Sequence, residues 1–583
     1  MGKILRVNMT NLSVKEEALP AKYKLFGGRA LTSSIVADEV PPDCHPLGPS
    51  NKLVFAPGIV SGTAAPTSAR ISVGGKGALT WSMKEANAGT KFSPMLHRLG
   101  YSAIIVEGMP KDKQKRYLLE ITKAGAKLLP ADDLKGKGGY ETVNALLARY
   151  GKKQLGICFN GPTGEMLMNM AGVGFNDMED RASRYAGRGG LGAVMGSKGL
   201  KAIVVDADGA PATIPLADAE LFKSGQKKLT DALRTHGVTK PGGTLNAYGT
   251  AALINVLNEA GGLPTRNFSS GRFEGAAKIS GEALAEGVKA RGAGMMGHNC
   301  SPGCIIKCSN IWPKKDKTEA ASCMEYESIW ALGADCGIDD LDVIAEIVTL
   351  CNDLGLDTIE TGATLAVAME GGLCKFGDGK SAIALVKEIG KATPTGRILG
   401  QGAGVTGRVL GVSRVPTVKN QSMPAYDPRA VKGIGVTYAT NPQGADHTIG
   451  YAVAPEILSV GGKADPLSPT GKAEISRNLQ IATAFLDSTG YCLFIAFAIL
   501  DITDGFLGMI DTVNGVLGTK MTPDDVTAYG KKLLKLEKEF TKKAGYSKYA
   551  DRLPEFMKLE PLPPHNVVFD VTDAELDSVY DKM

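Results

Sequence analysis

Short apolar runs, broken at close intervals by Gly, Pro and Asn, characterise the first part of the chain. Runs of this length with such boundaries are typical of β-strands. Only Gly139 to Tyr150 interrupts them with the apolar spacing of a helix. We therefore predict a mostly antiparallel, β-rich domain over residues 1–208, with strands in KILRVNM, KLVFAPGIV, ARISVGG, YSAIIVEGM, KRYLLEIT, QLGICFNG and KAIVVDADG.

The pattern changes after Pro211, where apolar residues recur at helical spacing and no sequence repeat is visible. A Gly-rich stretch and the turn-prone segment Met423 to Ala430 divide this part in two. We predict an α+β fold, in which the β-rich N-terminal domain precedes two mainly α-helical domains over residues 209–417 and 418–583. The predicted helices are Ala217 to Leu233, Asn246 to Ala260, Ile279 to Arg291, Leu341 to Leu354, Thr358 to Gly371, Lys380 to Ile389, Pro469 to Ala484 and Pro523 to Ala544.

The composition is typical of a globular protein with several domains and does not by itself indicate a function. With 43% hydrophobic and 22% charged residues the chain is an ordinary globular sequence, and 583 residues suit about two to four domains. A net charge of +5 is too small to indicate nucleic-acid binding, and it would not repel an acidic protein partner. The longest apolar stretch near the C-terminus, Cys492 to Leu500, has nine residues, whereas a membrane helix needs roughly 20. Since no signal-peptide pattern is visible, the expected compartment is the cytoplasm.

The segment Gly187 to Gly192 matches the glycine pattern of a dinucleotide-binding loop, and Asp206 and Asp208 follow it. The context disagrees, because the polar segment before the glycines does not have the pattern of a strand. About nine residues separate the last glycine from the next predicted strand, too few for a βαβ crossover. We therefore reject a nicotinamide site. A Gly-rich loop beside Arg184 and Arg188 would instead suit a phosphate, or form a structural turn.

Three cysteines, Cys300, Cys304 and Cys308, lie within nine residues in a loop that also contains Pro and Gly. Four thiolates hold a [4Fe–4S] cluster or a structural zinc, and a compact trio with a distant fourth Cys is common for the cluster. Zinc is the alternative, with His298 as a further ligand. We expect the scattered cysteines among the ten to be small core residues rather than a disulfide framework.

Two glycine turns in the helical part have the same shape. Asp487 to Cys492 has the order polar residue, two residues, Gly, apolar residue, thiol. Asn352 to Asp357 repeats this order with an acid in place of the thiol. Two similar turns in two helical domains indicate two similar halves of one ligand, bound with pseudo-symmetry. Each turn alone is equally well explained as a helix C-cap, with Gly in the left-handed conformation.

Together these features resemble the aldehyde ferredoxin oxidoreductase family, over nearly the whole length of the chain. The matching segments are long and specific, and they are RVNMTN, SGTAAPTSAR, MKEANAG, YSAIIVEG, RYAGRGGLGAVMGSKGLKAI, EYESIWALGA, CNDLGLDTIETG, PAYDPR and DSTGYCLF. The resemblance implies a β-rich domain that forms a base for the cofactor, covered by two helical domains. The apolar pattern predicts the same arrangement of strands and helices.

The resemblance also implies the cofactors, which are a tungsten or molybdenum bis-pyranopterin, a Mg²⁺ ion that links its phosphates, and one [4Fe–4S] cluster. Asn87 and the backbone of Tyr185 match the contacts to phosphate and Mg²⁺. Arg70 matches an arginine that bridges one pterin and the cluster. The cysteines that match the cluster ligands are Cys300, Cys304, Cys308 and Cys492, and the other residues that match cofactor contacts are Gly89, Arg184, Gly187, Asn352, Leu356, Asp357, Asp487, Cys492 and Leu493.

Glu327 and His447 match the residues beside the metal, which implies oxidation of an aldehyde to a carboxylic acid. Under this hypothesis His447 donates a hydrogen bond to the carbonyl oxygen, and Glu327 orients or deprotonates the attacking water. Electrons would pass to ferredoxin or a ferredoxin-like subunit, and a flavin subunit could relay them further. The alternatives are another bis-pterin enzyme of this family, such as a subunit that reduces an aromatic thioester, and an Fe–S electron-transfer subunit without catalysis.

The chain departs from the family pattern at three places. Three residues separate the first two cysteines of the trio, where two are usual, and Asn352 stands where an Asp is usual. Glu346 matches a glutamate that holds an iron between two subunits in some relatives, but no matching histidine is found. A bridging iron is therefore not expected, and an oligomer would have to form without it.

Overall fold

The computed structural model describes residues 2–151 and 154–583 of the protein. Two six-stranded sheets form the N-terminal part and a mainly helical part follows, which confirms the predicted α+β fold class. The strands of the first sheet are β1 (Lys3–Asn8), β2 (Ser13–Ala18), β3 (Leu53–Pro57), β4 (Arg70–Lys76), β5 (Met83–Gly89) and β6 (Tyr101–Glu107). Those of the second sheet are β7 (Tyr117–Thr122), β8 (Gly125–Pro130), β9 (Gly156–Asn160), β10 (Val173–Asn176), β11 (Ala182–Ala186) and β12 (Leu200–Val205).

The two sheets repeat one topology. The strand order is β2-β1-β6-β3-β4-β5 in the first sheet and β8-β7-β12-β9-β10-β11 in the second. Each sheet has one parallel pair, β1 with β6 and β7 with β12, and its other neighbouring strands are antiparallel. The prediction of mostly antiparallel strands is therefore confirmed. The repeat is visible in the strand order although the sequence shows none.

Side chains from both sheets share one buried core, which includes Leu5 and Ile104 of the first sheet and Ile121 and Phe175 of the second. The opposite faces, to which alternate residues of each strand point, are covered by helices. Helix α1 (Gly28–Glu39) packs on the first sheet and helix α3 (Gly139–Tyr150) on the second. The remaining helices of this part are α2 (Phe92–Arg98), α4 (Pro162–Glu165) and α5 (Leu191–Ser197).

The helical part packs around a second, larger core. Its small sheets are formed by β13 (Met295–His298), β14 (Ser309–Pro313) and β15 (Glu319–Ser322), and by β16 (Thr417–Val418) and β17 (Gln421–Ser422). Its helices are α6 (Ala219–Thr235), α7 (Thr244–Tyr248), α8 (Leu253–Glu259), α9 (Gly281–Arg291), α10 (Tyr326–Leu332), α11 (Leu341–Leu354), α12 (Thr358–Glu370), α13 (Gly379–Lys391), α14 (Pro394–Leu399), α15 (Ala403–Leu410), α16 (Lys432–Thr440), α17 (Val453–Glu456), α18 (Lys472–Thr489), α19 (Ile495–Asp501), α20 (Thr503–Leu517), α21 (Pro523–Lys543), α22 (Phe556–Leu559) and α23 (Asp573–Asp581). None of the helices in the described part of the chain combines the length and the apolar character needed to cross a bilayer.

Most predicted elements agree with the structure. Every predicted strand segment overlaps a strand, and the helices predicted over Gly139 to Tyr150 and Leu341 to Leu354 have the bounds of α3 and α11. The prediction that α3 alone interrupts the strands was wrong, because α1 and the shorter helices α2, α4 and α5 also lie between them. Residues 28–36 of α1 are all buried between the sheet and helices α18 and α21, so the sequence shows no polar face. The helix predicted over Asn246 to Ala260 is broken at Gly249, whose φ of +63° ends α7 before α8 begins.

The Gly-rich segment at 187–192 follows strand β11, so the prediction that no strand precedes it was also wrong. The polar side chains of β11 hid it, since this strand lies at the edge of its sheet and faces a cavity. The segment still does not open a βαβ unit. Strands β10 and β9 lie between β11 and β12, and successive antiparallel pairings make β12 run opposite to β11.

Candidate active site

A cavity of about 580 Å³ lies where the N-terminal sheets meet the helical part. Its size is in the range of sites for substrates and cofactors. It gathers most residues that the sequence singled out: Arg70, Gly89, Arg184, Tyr185, Gly187, Cys300, Cys308, Glu327, Asn352, Leu356, Asp357, His447, Cys492 and Leu493 all line it. Asn87, Cys304 and Asp487 are not in its lining. Asn87 and Cys304 contact lining residues, Arg70 and Cys300, as described below.

The cysteine trio occupies the loop between β13 and β14, and Cys492 follows helix α18. Cys304 hydrogen bonds to Cys300, and this bond, together with the nearby guanidinium groups of Arg184 and Arg70, holds the pKa of Cys300 well below its usual range. Burial raises the pKa of Cys308. One thiol of the loop is therefore disposed to ionise, as a metal ligand must.

The spacing of these thiols bears on the zinc alternative. Among the described residues, the group of three or more metal-binding side chains whose ligand atoms lie within 4.8 Å of one another is Asp177, Glu179 and His298, and no cysteine belongs to it. Thiolates on one tetrahedral zinc would lie about 3.8 Å apart. His298 is also engaged elsewhere, since Arg184 donates to its Nδ1 at 3.2 Å. In this structure the three thiols of the loop therefore do not form the compact ligand set of a single zinc ion.

Gly89 allows the sheet to approach the cysteine loop. A Cβ atom at this position would lie 2.7 Å from the Sγ atom of Cys300. Any other residue would therefore displace either the thiol or strand β5. The requirement for glycine here follows from the close approach and not from the backbone conformation.

Strands β4 and β5 position Arg70 beside the fourth thiol. Arg70 is paired with Gly89 across the two strands, and its Nη2 donates to Cys492 Sγ at 3.4 Å. Its Nη1 donates to Asn87 Oδ1 at 2.9 Å. Asn87 is thus held against the cavity wall by Arg70 without lining the cavity itself.

Strand β11 supplies the corresponding residues from the second sheet. Arg184 is buried, and its Nη2 donates to Ser309 Oγ at 2.9 Å. The hydroxyl of Tyr185 donates to the backbone carbonyl of Asn352, which joins the sheet to helix α11. Gly187 follows this strand and has room for a Cβ atom, the nearest neighbour being Tyr185 Cβ at 3.7 Å.

Both predicted glycine turns are helix C-caps that also line the cavity. Gly355 ends α11 with a φ of +84°, and Gly490 ends α18 with a φ of +92°. Each rests on a glycine loop of a different sheet: the Cα of Gly161 lies 2.9 Å from a Cβ built on Gly355, and that of Gly58 lies 2.9 Å from a Cβ built on Gly490. The capping and the ligand-site interpretations of these turns are therefore compatible.

The acids of the two turns are used differently. Asp357 caps helix α12 by accepting from Ile359 N at 3.0 Å, and its other oxygen lies 3.3 Å from Arg188 Nε. Asp487 lies behind the second turn, where Arg29 donates to it at 3.3 Å. Burial raises the pKa of Asp487 to about 6, against the effect of Arg29.

Glu327 and His447 lie side by side in the cavity wall. Glu327 lies in the first turn of α10 and His447 in the loop after α16, and His447 Nε2 is 3.3 Å from Glu327 Oε1. The backbone N–H of Ala425 donates to Glu327 Oε2 at 3.1 Å. Burial raises the pKa of Glu327 to about 8 and lowers that of His447 to about 4. Near neutral pH both groups are therefore mostly uncharged.

Several buried polar atoms of the cavity lack a hydrogen-bond partner among the described residues. They are Arg184 Nε, Asn352 Nδ2, Glu327 Oε1 and His447 Nδ1. Buried polar atoms are almost always paired in native proteins. A ligand rich in hydrogen-bonding atoms would satisfy them, and this donor set suits a pterin and its phosphate.

Sequence reasoning missed two residues of the cavity. Arg188 was considered only for a phosphate loop, yet its Nη1 and Nη2 donate to Ala445 O at 2.9 Å and Ser422 O at 2.6 Å, which fixes the loop of His447. Cys323 was expected in the core with the scattered cysteines, and it lines the cavity instead. Burial raises the pKa of its thiol to about 12. Its isolated position in the sequence gave no signal.

Comparison with known protein families gives matches along almost the whole chain. The family model described as aldehyde ferredoxin oxidoreductase, N-terminal domain, matches residues 4–207. The model described as aldehyde ferredoxin oxidoreductase, domains 2 and 3, matches residues 225–583.

Individual proteins are similar over the same length. The tungsten-containing aldehyde ferredoxin oxidoreductase of Pyrococcus furiosus is 36% identical, over 96% of this chain and 92% of that protein. The protein of the same name from Pyrococcus abyssi is 37% identical over the same shares. An aliphatic sulfonate oxidoreductase, WOR-like subunit, of Pyrococcus furiosus is 26% identical over 96% of this chain and 90% of its own.

Among solved structures, the active-site complex of benzoyl-coenzyme A reductase with 1,5-dienoyl-CoA has a similar fold. Its chain superposes with a TM-score of 0.81 at 19% identity, covering 100% of this chain and 94% of that one. At this identity the likeness shows a shared fold.

Proposed function

Because the chain belongs to the aldehyde ferredoxin oxidoreductase family, we propose that it oxidises aldehydes to carboxylic acids in the cavity described above. The chain is an oxidoreductase, since its relatives at 36% identity and above are oxidoreductases over nearly its whole length. The reaction converts an aldehyde and water into a carboxylic acid, two protons and two electrons. The observation that carries the proposal is the convergence of Glu327, His447 and the cysteines on one cavity.

The family implies a tungsten pterin cofactor, and the residues present fit it. The unpartnered Arg184 Nε and Asn352 Nδ2 would bind pterin or phosphate atoms. We assign the Mg²⁺ contacts to the Asn87 side chain and the Tyr185 backbone, and the pterin contacts to the two glycine turns. The [4Fe–4S] cluster would be held by Cys300, Cys304, Cys308 and Cys492, with molybdenum as the alternative to tungsten.

When bound, these groups supply a centre that accepts two electrons from the substrate and a cluster that passes them on one at a time. Arg70 is positioned to connect the two sites, because it contacts Cys492 and Asn87 at once. Its guanidinium group would stabilise the negative charge of the thiolates. The buried side chains around the cavity keep water away from the substrate.

Glu327 and His447 would handle the substrate and the attacking water. With its pKa lowered to about 4, His447 is neutral and can donate one N–H to the carbonyl oxygen. Glu327, with its pKa raised to about 8, is a base matched to proton transfer near neutral pH. Its Oε1 lies 3.3 Å from His447 Nε2 and makes no hydrogen bond among the described residues, so a water molecule bound beside the two side chains could donate its proton to that atom.

Electrons would leave through the cysteine loop to ferredoxin or a ferredoxin-like subunit. This loop reaches the surface, since Pro302, Gly303 and Lys307 are exposed. An exposed cation beside the cluster favours an acidic partner. A flavin subunit could take the electrons further without touching this chain.

The first test is to purify the protein without oxygen and to measure W, Mo, Fe and Zn together with aldehyde-dependent reduction of a viologen dye. We expect about one W or Mo and about four Fe per chain, with turnover of an aldehyde. Iron without W or Mo, after both have been supplied, would favour an electron-transfer subunit. Zinc alone would overturn the cluster assignment, and turnover of an aromatic thioester in place of aldehydes would favour the reductase alternative.

A further inference from the structure

A second cavity of about 340 Å³ lies between helices α18, α19, α20 and α21. Its interior is apolar and includes Phe485, Leu486, Met509 and Val526, all of them buried. This volume is in the range of sites for small ligands. None of the residues assigned above to metal or catalysis belongs to its lining. Leu493, which belongs to the second glycine turn, forms part of its wall.

Three cationic side chains line this cavity, two of them half-buried and one exposed. Arg477, Lys531 and Lys582 line it, and no acidic residue does. Within the described part of the chain, none of these three side chains makes a hydrogen bond or an ion pair. Cations that share one cavity without an anion repel each other, so a bound anion would stabilise them. The charge and the apolar interior together select an amphiphilic anion.

The second cavity adjoins the active site. Tyr451, Leu493 and Phe497 line both cavities and form the wall between them. Tyr451 and Phe497 pack edge to face, with ring centroids 6.2 Å apart. A ligand in the second cavity is thus one layer of side chains away from Glu327 and His447, which stand near Tyr451 in the first.

We propose that the second cavity binds an apolar carboxylate, with the hydrocarbon part among the buried side chains and the carboxylate at the three cations. The identity of this ligand rests on the proposed function, because oxidation of an apolar aldehyde yields such an acid. The product is an anion, whereas the substrate is neutral, so the cations favour the product alone. The cavity therefore serves the acid after it leaves the active site.

Binding of n-octanoate to the purified enzyme by calorimetry tests this inference without turnover. Arg477→Gln should weaken octanoate binding by about tenfold, the effect of losing one charge-assisted hydrogen bond. Lys535→Gln is the matched control, because Lys535 is exposed on the same helix as Lys531 and lies outside the cavity lining. Ala482→Trp, at the exposed edge of the cavity, should abolish binding and leave the iron and tungsten content unchanged.

Three results would overturn the inference. The first is 1-octanol binding as tightly as octanoate, which would make the charge irrelevant. The second is octanoate binding that is insensitive to both Arg477→Gln and Ala482→Trp. The third is coenzyme A displacing octanoate at lower concentration, which would assign the cations to phosphates. An enzyme that binds octanoate in this cavity but oxidises no aldehyde would instead refute the proposed function and leave the carboxylate site standing.

Discussion

At the scale of single residues, Glu327 and His447 titrate outside their usual ranges because both are removed from water. Only 15% of the Glu327 side chain and 14% of the His447 side chain is exposed. Burial disfavours the charged form of each side chain, so it raises the pKa of the Glu327 carboxyl group and lowers that of the His447 imidazole. A base with a pKa near 8 and a neutral hydrogen-bond donor are what hydration of a carbonyl group requires.

This environment predicts the pH dependence of turnover. If Glu327 must be ionised to accept a proton, kcat should rise with pH, about tenfold per unit well below pH 8, and level off above it. Glu327→Gln should lower kcat by about 10²–10⁴ and remove this rise, with W and Fe content unchanged. Glu346→Gln is the control, since Glu346 is an exposed acid paired with Lys387 at 3.1 Å. A pH profile that survives Glu327→Gln would assign the proton transfer to another group.

The contact between Gly89 and Cys300 predicts a defect in cluster assembly. Gly89→Ala would place a methyl group 2.7 Å from the thiol, so we expect Fe per chain to fall and the visible absorption of the cluster to weaken. Gly237→Ala is the matched control, because a Cβ atom there meets nothing within 4 Å. Equal iron content in both variants would show that the cysteine loop can shift to make room for the methyl group while Cys300 still binds the cluster.

Sequence reasoning found residues of this site where the chemistry is local. Three thiols within nine residues indicate a metal site even when the fold is unknown. Glu327 and His447 could be predicted only from the family resemblance. Arg188 and Cys323 were missed as cavity residues because their roles depend on what the fold brings near them. The ligand roles assigned to the cysteines, the glycine turns and Asn87 stay predictions until the metals are measured.

At the scale of elements, the two glycine caps show how helices are attached to sheets. Gly355 and Gly490 each combine a left-handed backbone with a close approach to a second glycine. Helix caps of this kind tolerate Ala at a cost of about 1 kcal/mol when there is space. Neither turn has space for a Cβ atom. The contact between helix and sheet and the helix cap therefore depend on the same glycine.

Replacement of one cap separates these two effects. Gly490→Ala adds a Cβ atom 2.5 Å from Ser61 Oγ, so we expect a lower Tm and loss of cofactor, because the turn that carries Cys492 must move. Gly411→Ala is the matched control, since Gly411 is also a left-handed cap, of helix α15, but its Cβ meets nothing within 4 Å. This control should lose only about 1 kcal/mol of stability and keep its iron. The same loss in both variants would mean that backbone strain alone matters.

Helices and strands could be predicted from the sequence where their apolar residues recur at the spacing of a helix or alternate as in a strand. Helix α11 has one buried face, and its bounds were predicted from that face. Helix α1 is buried along its first nine residues, and strand β11 presents polar side chains to the cavity, so neither shows a period. The boundary between the two helical domains near residue 418 also stays a prediction, because one apolar core continues across it.

At the scale of the whole molecule, the surface beside the cysteine loop predicts how an electron acceptor binds. Lys307 is exposed between Cys304 and Cys308. Lys307→Glu should lower kcat/KM for an acidic ferredoxin by about tenfold at low salt, and less at high salt, because electrostatic attraction is screened. Turnover with a small viologen dye should not change. Lys113→Glu, in the exposed loop before β7, is the control, and an equal effect there would point to net charge rather than to a docking site.

The repeated sheets have a further consequence for the direction in which charge moves. Asp357 and Cys492 stand at the same step of two matching turns, two residues after Gly355 and Gly490. In the proposed enzyme only the second of these steps ends in a sulfur ligand. The two halves of the site are therefore alike in their backbone and different in their chemistry. In that enzyme, electrons taken from a substrate bound between the two turns would leave on one side only, through the half of the site that bears Cys492.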